Sequence, residues 1–267
     1  MIPKIIHYVW VGTAPKPDLV LKCIASWKKY CPDYIIREWN NDDVIKIQNA
    51  YVQEAFECKK WAFVSDYLRL YALTTEGGFY CDSDLEITAP IDRFREHSFV
   101  TGYENWENRH FFPITAFIGA EKENTIIHNL LKEYDNLHFI VDGEMNQTTN
   151  TVRISKHFEN KFALRSPYDG HQTTKLNEKT FIYPCYYFCT PEKGRENYAI
   201  HHFNGSWIDP YSRKVLLKLG RFKLVKFKKK HKRVTESLFL LMGKERVVFS
   251  VKISKEKTIC LIEKEKK

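Results

Sequence analysis

Followed from the amino terminus, the apolar positions of this 267-residue chain change their period several times. "IPKIIHYVWVG" (2–12) is a nearly unbroken apolar run ending at Trp10 and Gly12, and it reads as a buried strand. Asp18 is expected to cap the helix "LVLKCIASWKKY" (19–30), because Val20, Ile24, Trp27 and Cys31 recur at helical spacing and Pro32 follows. "YIIREW" (34–39) is a second strand, and "NNDD" (40–43) offers a helix start. A longer helical pattern runs from about Gln53 to Thr75 and closes at Gly77-Gly78, residues free to take positive φ. "FYCD" (79–82), "HSFVTGYE" (97–104) and "TAFIGA" (115–120) read as strands, and "NTIIHNLLKEY" (124–134) as an amphipathic helix. Strands alternating with helices predict an α/β fold, with a mainly parallel central sheet flanked by helices on both faces. Such sheets bind ligands outside the carboxyl ends of their strands, and Asp82 and Asp84 follow one of those ends.

Charge divides the chain where period does not. Residues 213–267 hold 19 Lys and Arg against 5 Asp and Glu, a net of +14; the other 212 residues hold 23 against 28, a net of −5. The expected organisation is a mildly acidic domain, 1–212, and a basic extension, 213–267. In the extension, apolar residues at 215–217, 219, 222, 224–225 and 227 interleave with cations, which suits peripheral contact with an anionic membrane surface better than specific nucleic-acid recognition. A plain solvated basic tail is the simpler alternative.

No apolar run approaches the ~20 residues of a membrane-spanning helix. "MIPKIIHYVWVG" lacks a small-residue cleavage site and is not read as a signal peptide, so the expected location is the cytoplasm, with contact at the inner face of the membrane. Seven scattered cysteines, at 23, 31, 58, 81, 185, 189 and 260, form no disulfide framework. Cys185 and Cys189 are read as buried free thiols rather than zinc ligands, given the aromatic run around them.

The chemistry concentrates in "GGFYCDSDLEI" (77–87). In extended backbone, residues two apart project to the same side, so Asp82 and Asp84 can form a hard-oxygen site for Mg²⁺ or Mn²⁺. Taken alone, a DxD is more often a solvated turn than a metal site. Upstream, "WAFVSDYLRLY" (61–71) is apolar nearly all round, which implies a buried helix on which Asp66 and Arg69 share a face and line a pocket. An acid and a guanidinium there suit vicinal hydroxyls and a phosphate. "AIHHFNGSW" (199–207) offers an imidazole from His201 or His202, and a glycine turn leading to Ser206 and Trp207, beside which a phosphate can approach backbone amides. Trp10, at the end of the first strand, is either core or a platform for a nucleobase.

"IPKIIHYVW", "SDYLRLYALTTEGGFYCDSD" and "HHFNGSW", in that order, resemble family 32 glycosyltransferases, the DxD-containing sugar transferases that include bacterial capsular and surface-polysaccharide enzymes. These are distantly similar to the catalytic domain of the large clostridial glucosylating toxins. The resemblance spans roughly 1–210, and the SDxxR-to-DxD spacing is its specific part. It implies a GT-A fold, a nucleotide-sugar donor (UDP-linked), Mn²⁺ or Mg²⁺, and retaining hexosyl transfer to a glycan or lipid-linked glycan acceptor. It makes Trp10 the base-stacking residue, Asp66 and Arg69 the residues on donor sugar and ribose, and Asp82 and Asp84 the metal pair, with Asp84 the direct ligand. It also makes His202, chosen over His201, the third ligand, with Ser206 and Trp207 on the β-phosphate. "DGEMNQTTNTVRISKHF" (142–158) departs from the Gly-Pro turn of many relatives, so sugar specificity is not carried over.

In this reading the metal ion, Arg69, Ser206 and Trp207 neutralise the charge growing on a departing diphosphate. Nothing in the sequence marks a nucleophilic carboxylate, which favours front-face attack with the departing phosphate taking the acceptor's proton. The rivals are a non-catalytic nucleotide-sugar or polyanion binder using the basic tail, and a DxD phosphatase. The phosphatase motif expects Thr or Val where Leu85 stands.

Overall fold

The structure is a computed structural model; residues 1–106, 110–204, 211–219, 222–229, 245–254 and 257–264 are described. The chain divides into two compact units, 1–203 and 204–267.

The first unit runs β1 (Ile5–Val9), α1 (Asp18–Tyr30), β2 (Ile35–Trp39), α2 (Asn41–Lys46), α3 (Ala50–Glu57), α4 (Trp61–Thr75), β3 (Gly78–Cys81) and β4 (Leu85–Ile87). It continues with β5 (Phe99–Trp106), β6 (His110–Ala120), α5 (Thr125–Lys132), β7 (Ile140–Val141), β8 (Glu144–Met145) and α6 (Asn150–Phe162). The last elements are β9 (Thr174–Asn177), β10 (Thr180–Tyr183), α7 (Cys185–Phe188) and β11 (Ala199–His201). Seven strands form the central sheet in the order β2-β1-β3-β6-β5-β10-β9. Pairing is parallel for β1 with β2 and β3 and for β10 with β5, and antiparallel where β6 and β9 join. Five strands therefore point one way, and the α/β class with a mainly parallel sheet stands.

Each face of this sheet carries its own core. On one face Tyr80, Phe99, Tyr103 and Ile118 pack with Val64, Leu68 and Leu70 of α4, Ile127 of α5 and Phe158 of α6. On the other, Ile6, Phe79, Val100 and Phe117 pack with Cys23 and Trp27 of α1 and Phe188 of α7. Burying both faces explains why the strands read as continuous apolar runs rather than alternating ones.

Local differences from the sequence reading have physical causes. The helix expected from Gln53 to Thr75 is two helices. Lys59 sits at φ 57°, and the Lys59 and Lys60 amides donate to the Phe56 and Ala55 carbonyls at 2.9 Å, a Schellman closure that ends α3. Asp18 is not a cap: the capping position is Pro17, and Asp18 is the first helical residue, where its charge favours the amino-terminal dipole. Gly77 and Gly78 do close α4, at φ 66° and 109°. A Cβ on Gly78 would stand 2.7 Å from the Ile5 carbonyl oxygen, so only glycine lets β3 run this close to β1.

The second unit is a four-stranded antiparallel sheet of β12 (Tyr211–Leu219), β13 (Phe222–Lys229), β14 (Glu245–Ser254) and β15 (Lys257–Lys264), in the order β12-β13-β15-β14. Cations that interleave with apolar residues in sequence thus lie on strands, where successive residues face opposite sides. Val225 is fully buried, whereas Leu216 and Leu217 are exposed. Among the described residues no helix is long and apolar enough to cross a membrane.

Candidate functional site

The site forms where β1 and β3 end side by side. His7 pairs with Tyr80 in parallel register, so Trp10 and the Asp82–Asp84 turn both emerge at the carboxyl edge. The Asp82 amide donates to the Ala116 carbonyl of β6 at 2.9 Å, and the Leu85 amide returns to the Asp82 carbonyl at 2.9 Å. That turn feeds β4, which pairs antiparallel with β11 and brings the chain near residue 200 beside the aspartates.

α4 supplies the buried ion pairs. The Arg69 guanidinium lies 3.2 Å from Asp66 Oδ1 and 3.1 Å from Asp82 Oδ1, with its side chain only 5% exposed. It also donates to Ser65 Oγ at 2.9 Å and lies over the Tyr80 ring. The Tyr80 hydroxyl donates to the same Asp82 oxygen at 2.7 Å, so Asp82 is aimed by two neighbours on one side. Burial alone would lower the Arg69 guanidinium, but Asp82, Tyr80 and Asp66 outweigh it and keep it charged. Burial raises the Asp66 carboxyl from its ordinary 3.8 to about 6, against the pull of Arg69 and the Asn150 amide. That amide, at the start of α6, donates to Asp66 Oδ2 at 3.0 Å, and the Asn150 side chain donates back to the Asp66 carbonyl at 3.2 Å. The segment 142–158, which departs from the resembled family's pattern, therefore reaches the pocket through Asn150.

One imidazole completes the cluster, and it belongs to His201. Donor atoms of Asp82, Asp84 and His201 all lie within 4.8 Å of one another. His201 Nε2 stands 3.6 Å from Asp84 Oδ1, and both side chains are nearly buried. His202, the residue expected in this place, instead puts Nε2 2.9 Å from Glu86 Oε2, a carboxylate that also pairs with Lys22. Adjacent residues of an extended segment project to opposite sides, so only one of the two histidines can face the aspartates. Burial disfavours a charged His201, but the Asp84 charge and hydrogen bond reverse this and raise its pKa well above the ordinary 6.5.

These donors fit a divalent ion. Two carboxylates and an imidazole form a mixed oxygen and nitrogen set. A ligating imidazole is neutral; with His201 so, Arg69 and Arg153 offset the charge of Asp66, and Arg69 that of Glu104.

Trp10 lies past β1 on the same edge, half-buried, and its Nε1 donates to the Ala14 carbonyl at 3.0 Å. Ser206 and Trp207 lie outside the described residues. Cys185 and Cys189 are buried, with Cys185 in a second group of potential ligands beside His171 and Glu192. Sequence reasoning missed Tyr80, Asn150 and Glu104. Tyr80 alternates with Asp82 along β3 and was open to inference from that period; Asn150 and Glu104 arrive only through tertiary packing.

No curated protein was found to match the chain. Among solved structures it is similar to one titled PaToxG Glycosyltransferase, with 21% identity over 61% of this chain and 70% of that one, at a TM-score of 0.47. It is also similar to a glycosyltransferase involved in the glycosylation of the major capsid of PBCV-1, with 11% identity, 77% and 95% coverage and a TM-score of 0.42. A third is the UDP-bound glycosyltransferase domain from the YGT toxin, with 12% identity, 64% and 69% coverage and a TM-score of 0.32. Residues 17–101, which carry Asp66, Arg69, Asp82 and Asp84, match the family described as the glycosyltransferase sugar-binding region containing the DXD motif.

Proposed function

We propose that the chain is a metal-dependent glycosyltransferase that takes a sugar from a nucleotide-sugar donor, UDP-linked, and moves it to a glycan or lipid-linked glycan acceptor. The observation that carries this reading is the convergence of Asp82, Asp84 and His201 within 4.8 Å, joined through Asp82 to the buried Arg69, within or beside the matched sugar-binding segment.

Asp82, Asp84 and His201 would hold Mn²⁺ or Mg²⁺. When bound, such an ion neutralises negative charge on a diphosphate leaving group. The chain's own groups do the remaining work. Arg69 is fixed by Asp66, Asp82 and Ser65 before any ligand arrives, so its positive charge needs no reorganisation during reaction. Asp66 is held by the Asn150 amide in a pose suited to sugar or ribose hydroxyls. Trp10 offers an aromatic surface at the same edge for the base. Ser206 and Trp207 remain the proposed contacts for the β-phosphate, and the transfer is proposed to retain anomeric configuration, in bacterial surface or capsular polysaccharide synthesis.

The proposed setting is the cytoplasm, at the membrane's inner face. The net charge of +14 in 213–267 supports contact with anionic lipid, which sedimentation with phosphatidylserine vesicles tests. The function itself is tested by nucleotide release across a panel of UDP- and GDP-sugars with Mn²⁺, against EDTA and Asp84→Ala. Release that needs the ion and the aspartate supports the reading; release from simple phosphomonoesters instead would replace it with a phosphatase.

A further inference from the structure

The carboxyl edge carries one more acid that neither motif nor spacing announces. Glu104 lies on β5, paired with Phe112 of β6, beyond the point where β3 has already ended. Along β5, Tyr103 joins the core on the α4 side. Gly102 faces α7: a Cβ there would meet the Phe188 ring at 2.8 Å. Alternation from Tyr103 puts Glu104 on the sheet face opposite α4, the Gly102 side. Cys189 then ties this position to the cluster: its Sγ accepts from the Asn105 amide at 3.4 Å, and its carbonyl accepts from the His201 amide at 2.9 Å.

Glu104 is close enough to interact electrostatically with His201, Asp82, Arg69 and Asp84, yet it is outside the set of donor atoms that converge within 4.8 Å. Burial is the main influence on its carboxyl and raises its pKa, with Asp82 and Asp84 adding to the rise and His201 and Arg69 opposing it. A carboxylate in this place repels a diphosphate. What it can accept is a hydrogen bond from a hydroxyl. The face it occupies is opposite the one from which α4 presents its grips for the donor.

Building on the proposed glycosyl transfer, we propose that Glu104 is the acceptor-side catalytic residue, the carboxylate that receives the hydrogen bond and then the proton of the attacking hydroxyl. The hydroxyl oxygen bonds to the anomeric carbon on the same side from which the diphosphate departs, so configuration is retained, while the bond from that carbon to the diphosphate oxygen breaks. The diphosphate leaves with the electron pair, the hydroxyl proton passes to Glu104, and Glu104 returns it to water after product release. This moves the proton from the departing phosphate, its destination in the sequence reading, to a group of the protein.

Water can stand in for the acceptor, so the test needs no acceptor to be known. The measurement is Mn²⁺-dependent nucleotide release from whichever UDP- or GDP-sugar the wild type hydrolyses, with Mn²⁺–UDP affinity by calorimetry alongside. Glu104→Gln and Glu104→Ala should lower kcat on the order of 10²-fold, leaving KM for the donor and Mn²⁺–UDP affinity within about twofold. Sodium formate should restore part of the rate to Glu104→Ala, an effect a structural role would not give. Should Glu104→Ala not fold, the near-isosteric Glu104→Gln carries the test. Unchanged kcat, or Mn²⁺–UDP affinity falling in step with kcat, overturns the assignment. Absence of release from wild type with every donor counts against the transferase reading itself, a result distinct from either.

Discussion

Acidification should unlock the turn that leads into the aspartates, and His7 is the group that responds. It is fully buried, with Nε2 2.7 Å from the Gly77 carbonyl oxygen and Nδ1 3.1 Å from the Trp39 indole Nε1. The carbonyl can only accept and the indole can only donate, so the ring is neutral with its proton on Nε2. Burial lowers its pKa from 6.5 to about 4, outweighing the favourable Gly77 bond. A histidine depressed in the fold contributes stability that is complete above the unfolded value of 6.5 and is lost as pH falls toward 4. The gap of about 2.5 pH units, at 1.36 kcal/mol per unit, makes this loss about 3.4 kcal/mol. Wild type alone would hide it. Asp66, raised from 3.8 to about 6, works the other way: the fold takes its proton first, gaining about 3 kcal/mol as pH falls through that window. The informative quantity is therefore the stability of wild type minus that of His7→Gln, from urea unfolding at pH 7 and pH 4. Between these two pH values the difference should shrink by about 2.8 kcal/mol, the rest of the loss coming below pH 4 where the buried ring is itself protonated. Imidazole NMR should show the neutral Nε2–H form at pH 7, giving way to the imidazolium only near pH 4. A constant difference, or His7 titrating near 6.5, refutes the reasoning.

Other expectations follow from the same network. Arg69→Met removes the shared partner of Asp66 and Asp82 and should cost about 3–5 kcal/mol in urea unfolding, because it strands buried carboxylates. Gly78→Ala forces a side chain into φ 109° and toward the Ile5 carbonyl, and should cost at least ~1–3 kcal/mol by the same assay. Asn150→Ala withdraws one hydrogen bond from Asp66 but leaves its backbone amide donor, so it should lower thermal stability by only about 1 kcal/mol.

Much of this was visible in the pattern of residues, and the parts that were not share a cause. The α4 helix could be read because apolar residues surround Asp66 and Arg69, and Gly77-Gly78 because a chain leaving a helix straight into a buried strand needs positive φ. The two aspartates could be read because alternation alone puts them on one side. The choice between His201 and His202 turns on which side of a short strand faces β3's end, and one residue of register inverts it. The break at Lys59 rests on a left-handed lysine that helical periodicity does not signal. Glu104 and Asn150 enter the pocket from strands and helices distant in sequence, so no local spacing points to them.

The central claim is that Asp82, Asp84 and His201 together hold the divalent ion that a nucleotide-sugar diphosphate requires. It is tested most directly by measuring Mn²⁺-dependent nucleotide release for wild type, Asp84→Ala, His201→Ala and His202→Ala side by side. The account predicts that Asp84→Ala and His201→Ala lose roughly tenfold or more in apparent Mn²⁺ affinity, about 1.4 kcal/mol, while His202→Ala stays near wild type. Equal loss from both histidine variants, or release that persists in EDTA, would contradict it.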